Sequence, residues 1–231
     1  MYILFVLMFM TACSFLQAED SEAIVIGAKL KAPKLKETRA SSDLFGEVRK
    51  KYAKYKMVEI DASRITTISA LDKTKETALK IYVASSGAMR IETKTEPKSI
   101  TILNDKDAMV IDEPDEFFGG PVRVLISKNP ELKNSQAFLR VIFGQLAIEN
   151  VFTIKKEEKD FVVLSAVNSQ FPVQEVRVYF DLKNKLISKI QYSDAQTNKI
   201  SIKMLNTKFN KSEKTELFNY KIPKDAEITE V

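Results

Sequence analysis

The sequence predicts a mainly β protein of the α+β class, with about ten or eleven largely antiparallel strands and two or three α-helices. Three observations carry this. Apolar residues recur with period two between turn-forming clusters, most clearly over 79–113, the pattern of antiparallel strands with one buried face. The helical signals fall ahead of the first strand and in one central insertion, so no helix links successive strands and a parallel βαβ design is excluded. At 231 residues the chain is long enough for one domain with a substantial core.

The chain opens with MYILFVLMFMTACSFLQA (1–18), an apolar run followed by small residues. It is shorter than the ~20 residues that span a bilayer, and a secretory signal fits it better than a transmembrane helix. Two cleavage sites compete: Leu16-Gln17-Ala18 before Glu19, and Met10-Thr11-Ala12-Cys13, a lipobox-like run that would leave Cys13 to carry a lipid. Cys13 is the only cysteine, so the fold is held without a disulfide. Residues 19–41 have no sustained period and read as a flexible leader, which puts the domain at 42–231.

Ser42 can cap a helix opening at Asp43, with Leu44, Phe45, Val48, Tyr52 and Tyr55 on one face and Arg49, Lys50, Lys51, Lys54 and Lys56 on the other. Val58, Ile60 and Ala62 begin the first strand. The meander follows: Leu79-Ile81-Val83 up to Ser85-Ser86-Gly87, then Met89-Ile91, Ile100-Ile102 and Met109-Val110-Ile111. An acidic turn then leads to Phe117-Phe118 beside Gly119-Gly120-Pro121, which reads either as a hydrophobic flap on a hinge or as a buried anchor. A second helix is expected from about Asn134 to Leu146, with Ala137, Phe138, Val141 and Ile142 on its apolar face. Strands resume at Val151–Ile154, Phe161–Ala166, Val176–Phe180, Leu186–Tyr192 and Ile200–Met204, and a last one is read at Phe218, Tyr220 and Ile222.

Composition excludes more than it proposes. Histidine is absent, which removes Ser-His-Asp and Cys-His nucleophiles and most zinc sites. The few glycines form no phosphate-binding loop, so no cofactor is expected. A net charge of +5, spread through mixed charges, argues against a nucleic-acid face. The acidic pairs Asp112-Glu113 and Asp115-Glu116 lie adjacent in a polar turn and do not set two carboxylates across a site. No catalytic residue and no metal ligand is expected.

With those pieces in order, the chain resembles the periplasmic outer-membrane lipoprotein carrier proteins of the LolA type. The resemblance rests on the leader, one amphipathic helix, Gly87-Ala88-Met89-Arg90, an x-Pro turn and an Ile-x-Ile strand ending at Asp105. It continues with Val176–Asp181, Leu186–Ile190 and Phe218–Pro223. It implies a strongly curved sheet forming an incomplete barrel, closed by a helical lid over an apolar concave face, and a function in binding without catalysis. The implied cavity residues are Met89, Ile91, Ile100, Ile102 and Val110 from the meander, with Leu44, Val48, Phe138 and Ile142 from the lid. Arg90 matches the family arginine that hydrogen-bonds the lid, while its parity, opposite to Met89 and Ile91, reads equally as an outer-face residue that solvates the sheet. The implied ligands are acylated lipoproteins, loaded by an inner-membrane lipoprotein-exporting ABC transporter and passed to an outer-membrane receptor by a monomeric carrier in the periplasm. Acylation at Cys13 would instead make the chain an anchored receptor of the same fold.

Overall fold

In the computed structural model, the described residues are 43–104, 107–114, 116–117, 119–128, 138–169 and 171–231. Cys13, Ser42 and Phe118 lie outside them. Twelve strands among the described residues form one sheet in the order β12-β6-β5-β4-β3-β2-β1-β11-β10-β9-β8-β7. In chain order they are β1 (Met57–Ile68), β2 (Lys73–Ala84), β3 (Met89–Thr93), β4 (Ser99–Leu103), β5 (Ala108–Asp112) and β6 (Arg123–Ser127). There follow β7 (Phe152–Glu157), β8 (Phe161–Ala166), β9 (Glu175–Asp181), β10 (Leu186–Ser193), β11 (Lys199–Asn210) and β12 (Glu227–Glu230). Every pairing is antiparallel except β12 with β6, which is parallel. Two expectations change here. The sheet is mixed, and it is open, with β12 and β7 as its edges and no strong curl toward a barrel.

Two meanders, β1–β6 and β7–β11, meet where β1 pairs with β11. The long strands β1 and β2 pair residue for residue from Met57–Ala84 to Ile68–Lys73. Alternation sends Val58, Ile60 and Ala62 to one face together with Leu79, Ile81 and Val83, and these belong to the main core. We call this the inner face.

The helices cover it. α1 (Leu44–Ala53) is capped by Asp43, whose carboxylate accepts from the Gly46 amide at 2.8 Å. The cap is thus one residue later than the sequence suggests. Phe45, Val48 and Tyr52 are buried on its sheet side. The described part of α2 spans 138–142 and ends earlier than expected. Gly144 takes φ +76°, its amide donates to the Val141 carbonyl and the Gln145 amide to that of Arg140, which is a Schellman termination.

The outer face has its own cover. After β11 the chain runs through a 3-10 turn (Thr215–Phe218) and an extended arm before adding β12 to the β6 edge. The arm lays Phe218 on Met57 and Ala84, and Tyr220 and Ile222 against Ile100, Ile102, Ile111 and Val124. Phe218, Tyr220 and Ile222 alternate as the sequence shows, but in a 3-10 turn and a strap that lies on a sheet, not in a strand.

Candidate functional site

The predicted cavity residues divide between the two faces. Val48, Met89, Phe138 and Ile142 are buried in the inner-face core, and Leu44 and Ile91 pack at its margin. Val110 is half-buried on the same face, opposite Thr101 and Leu125. Ile100 and Ile102 are opposite Glu92 and Arg90 in the register and pack in the outer cluster under the arm. One surface therefore cannot include all nine. The inner face is the one covered by helices, and it is the candidate site.

Its lid is held together by an arginine that the helical pattern places among solvated lysines. Arg49 donates from Nε to the Val141 carbonyl at 2.9 Å and from Nη2 to the Leu146 carbonyl at 2.5 Å. It thus satisfies carbonyls at the open end of α2. Burial lowers its pKa from the ordinary guanidinium value. The signal in the sequence is its position, four residues after Phe45 and three before Tyr52, at the border of the apolar stripe. The close approach needs Gly144, because a Cβ there would sit 2.5 Å from the Arg49 carbonyl oxygen.

Arg90 bonds elsewhere. It lies on the outer face, where Nε donates to Glu92 at 2.6 Å and Nη1 to the Leu217 carbonyl at 3.0 Å. Lys94 bonds the other oxygen of Glu92. Burial pushes the Glu92 carboxyl up, but the bonds from Lys94 and Arg90 outweigh it and hold the pKa below the ordinary value. The latch expected between Arg90 and a helical lid is made to the strap on the opposite face.

Contact between lid and sheet is largely aromatic and aliphatic. Phe45 meets Phe180 with ring centroids 6.0 Å apart, Phe138 meets Tyr192 at 4.8 Å, and Tyr52 lies between Phe143 and Phe209 at 5.4 and 5.3 Å. The Tyr52 hydroxyl accepts from the Ile187 amide at 3.3 Å, a buried polar bond between α1 and the sheet. Burial pushes the Tyr52 and Tyr192 hydroxyls up to about 12. The folded state therefore holds these two protons more tightly than the unfolded chain. Their stabilising contribution is complete below the ordinary phenol value near 10 and is lost as pH rises through about 12. An alkaline absorbance titration should show two tyrosines ionising near pH 12 in the folded protein. Loss of those two late steps in Tyr52→Phe and Tyr192→Phe, one step each, checks the assignment.

A concavity of about 960 Å³ lies away from the helices, at the far ends of β1, β10 and β11. Thr67, Gln191, Ser193 and Ser201 line it together with the apolar side chains of Ile65, Tyr192 and Ile200, and none of the nine predicted residues does. Phe117 of the expected flap is 89% exposed in the β5–β6 connection, and Gly119 and Gly120 both have positive φ. Among the described residues no group of acidic, histidine or cysteine side chains could hold a metal, and no helix is long and apolar enough to cross a membrane.

No protein-family model matches the chain, and no curated protein matches it. Among solved structures it is similar to an uncharacterized conserved protein from Thermus thermophilus, at 14% identity and a TM-score of 0.46, covering 80% of this chain and 98% of that one. It is similar to a LolA superfamily protein from Nitrosomonas europaea at 9% identity and a TM-score of 0.39, covering 76% and 97%. A MucA/MucB complex from Pseudomonas aeruginosa matches at 11% identity and a TM-score of 0.36, covering 76% of this chain and 59% of that one. At such identities an activity has to come from this chain's own side chains.

Proposed function

We propose that the chain is a non-catalytic periplasmic carrier that shelters the acyl chains of lipoproteins between the helices and the inner face of the sheet. The observation that supports this best is the construction of the lid. Its two helices are bonded to each other through Arg49, while they meet the sheet through a dry layer that includes Phe45, Val48, Phe138 and Ile142. Replacing that layer with acyl chains exchanges one set of apolar contacts for another and breaks few hydrogen bonds.

Energetics favours a lid that closes when empty. Acyl burial is worth ~0.8 kcal/mol per methylene, so three sheltered chains would exceed the practical affinity ceiling of roughly −18 to −21 kcal/mol unless something opposes it. The filled core seen here is that opposing term, because loading must first separate it. An acylated passenger would be received from an inner-membrane exporter and handed to an outer-membrane acceptor. If Cys13 carries the lipid, the same fold acts as the anchored acceptor.

Native and denaturing mass spectrometry of protein taken from its own envelope tests the reading. A chain starting at Glu19 with a non-covalent acylated passenger is the expected result, and a diacylglyceryl-modified Cys13 would reassign it as the receptor. A chain that takes up no acylated lipoprotein, even after crosslinking, would falsify the lipid-handling role.

A further inference from the structure

At the margin of the lid, the inner face carries one charge that the fold does not use. Alternation along β1 continues from Ala62 to Arg64, so this arginine points to the same side as the core, opposite Thr77 on β2 and Ile202 on β11. Thr77 and Ile202 are both buried. Tyr192, which carries the lid's Phe138 against it, lies within electrostatic reach of Arg64. Arg64 is half-buried, yet its Nε is cut off from solvent and has no hydrogen-bond partner. No ion pair among the described residues includes it.

A guanidinium with a buried, unused N–H costs stability, and a fold has no reason of its own to keep it on an apolar face. A ligand supplies the reason. The vacant donor and the positive charge sit at the edge of an apolar surface, which is the arrangement that recognises an amphiphile with an acceptor oxygen at one end. We propose that Arg64 is the polar end of the acyl site, taking the carboxylate or ester oxygen at the head of an acyl chain whose apolar length lies along the inner face. This rests on the acyl-binding function proposed above. It adds a fixed direction for the chain, with the head toward Arg64 and Tyr192 and the tail under α1 and α2. The same group suits a free carboxylate or an ester carbonyl, because both offer an sp² oxygen to a fork of N–H donors.

The test is calorimetric titration of the full chain with palmitate and with 1-monopalmitoylglycerol, for wild type, Arg64→Gln and Arg64→Lys. Loss of a charge-assisted bond should weaken palmitate binding to Arg64→Gln by about tenfold or more, with Arg64→Lys in between. A loss confined to palmitate identifies a carboxylate head, and a loss for both ligands identifies the acyl ester oxygen. Unchanged affinity of Arg64→Gln for both overturns the inference while leaving acyl binding standing. Failure of the wild type to bind either overturns both. Thermal unfolding of ligand-free Arg64→Met separates function from structure, since removing an unpaired buried donor should leave the melting temperature unchanged or raise it. A clear drop would make Arg64 a structural residue and overturn the assignment.

Discussion

Gly144→Ala should lower the melting temperature by roughly 6–12 °C, corresponding to about 3 kcal/mol in a domain of this size. Two costs add. Gly144 has φ +76°, where an L side chain costs about 1–2 kcal/mol. The new methyl would also stand 2.5 Å from the Arg49 carbonyl oxygen, and that atom is backbone in the middle of α1. To admit it, α2 must move away from α1, which weakens both bonds from Arg49. Gly144→Asn separates the two effects, because asparagine tolerates the left-handed conformation but still brings a Cβ. It should recover part of the loss and no more. Differential scanning calorimetry of the three proteins decides it, and a wild-type melting temperature for Gly144→Ala would remove the reason given for this glycine.

Glu92→Ala is the second large effect, expected at about 2–3 kcal/mol because it strands a half-buried arginine. Glu92 is 8% exposed and joins Arg90 to Lys94, and Arg90 in turn joins the sheet to the strap at Leu217. Without the carboxylate, Arg90 loses the partner that orients it toward Leu217. The strap, residues 211–226, should then be cut faster by a nonspecific protease while the β1–β2 hairpin stays resistant. The pH dependence has a definite sign. The folded pKa of Glu92 lies below its ordinary 4.5, so the stabilisation is complete above that value and is lost as pH falls through the folded pKa. Glu92→Gln should flatten this acid limb of the stability curve. An equally steep limb in the variant would move the effect to other carboxylates.

The meander is legible because its signal is local. The strands β3, β4 and β5 each carry their own period-two run between polar turns, and the runs read at Met89, Ile100 and Met109 fall inside them. The face each run presents is not legible. Alternation gives relative parity within a strand, while parity between strands depends on how many residues each turn consumes. Here both sheet faces are apolar in this region, the inner one under helices and the outer one under the strap, so hydrophobicity cannot choose. That is why the cavity inferred from the resemblance groups Ile100 and Ile102 with Met89 and Ile91. β6, with the sequence RVLIS, is hidden by its shortness and by the Phe-Phe-Gly-Gly-Pro run before it, and β12 has every residue exposed and so no pattern at all. Arg49 and Arg64 are obscured for a related reason. Both are charged residues that the fold turns toward apolar surroundings, against the usual placement that a sequence reading assumes.

The parallel strand β12 also bears on the order in which the protein can be made. It follows every other strand in the chain, yet it pairs with β6, which precedes it by about a hundred residues. As the chain enters the compartment where it folds, N-terminal part first, β1 to β6 can zip together by hairpins. Their outer apolar residues Ile100, Ile102 and Val124, and the free hydrogen-bonding edge of β6, then wait uncovered until the strap arrives. During that interval the nascent sheet is a ready template for another chain. A holding chaperone would be needed at this stage and not afterwards, when the strap has closed over both surfaces.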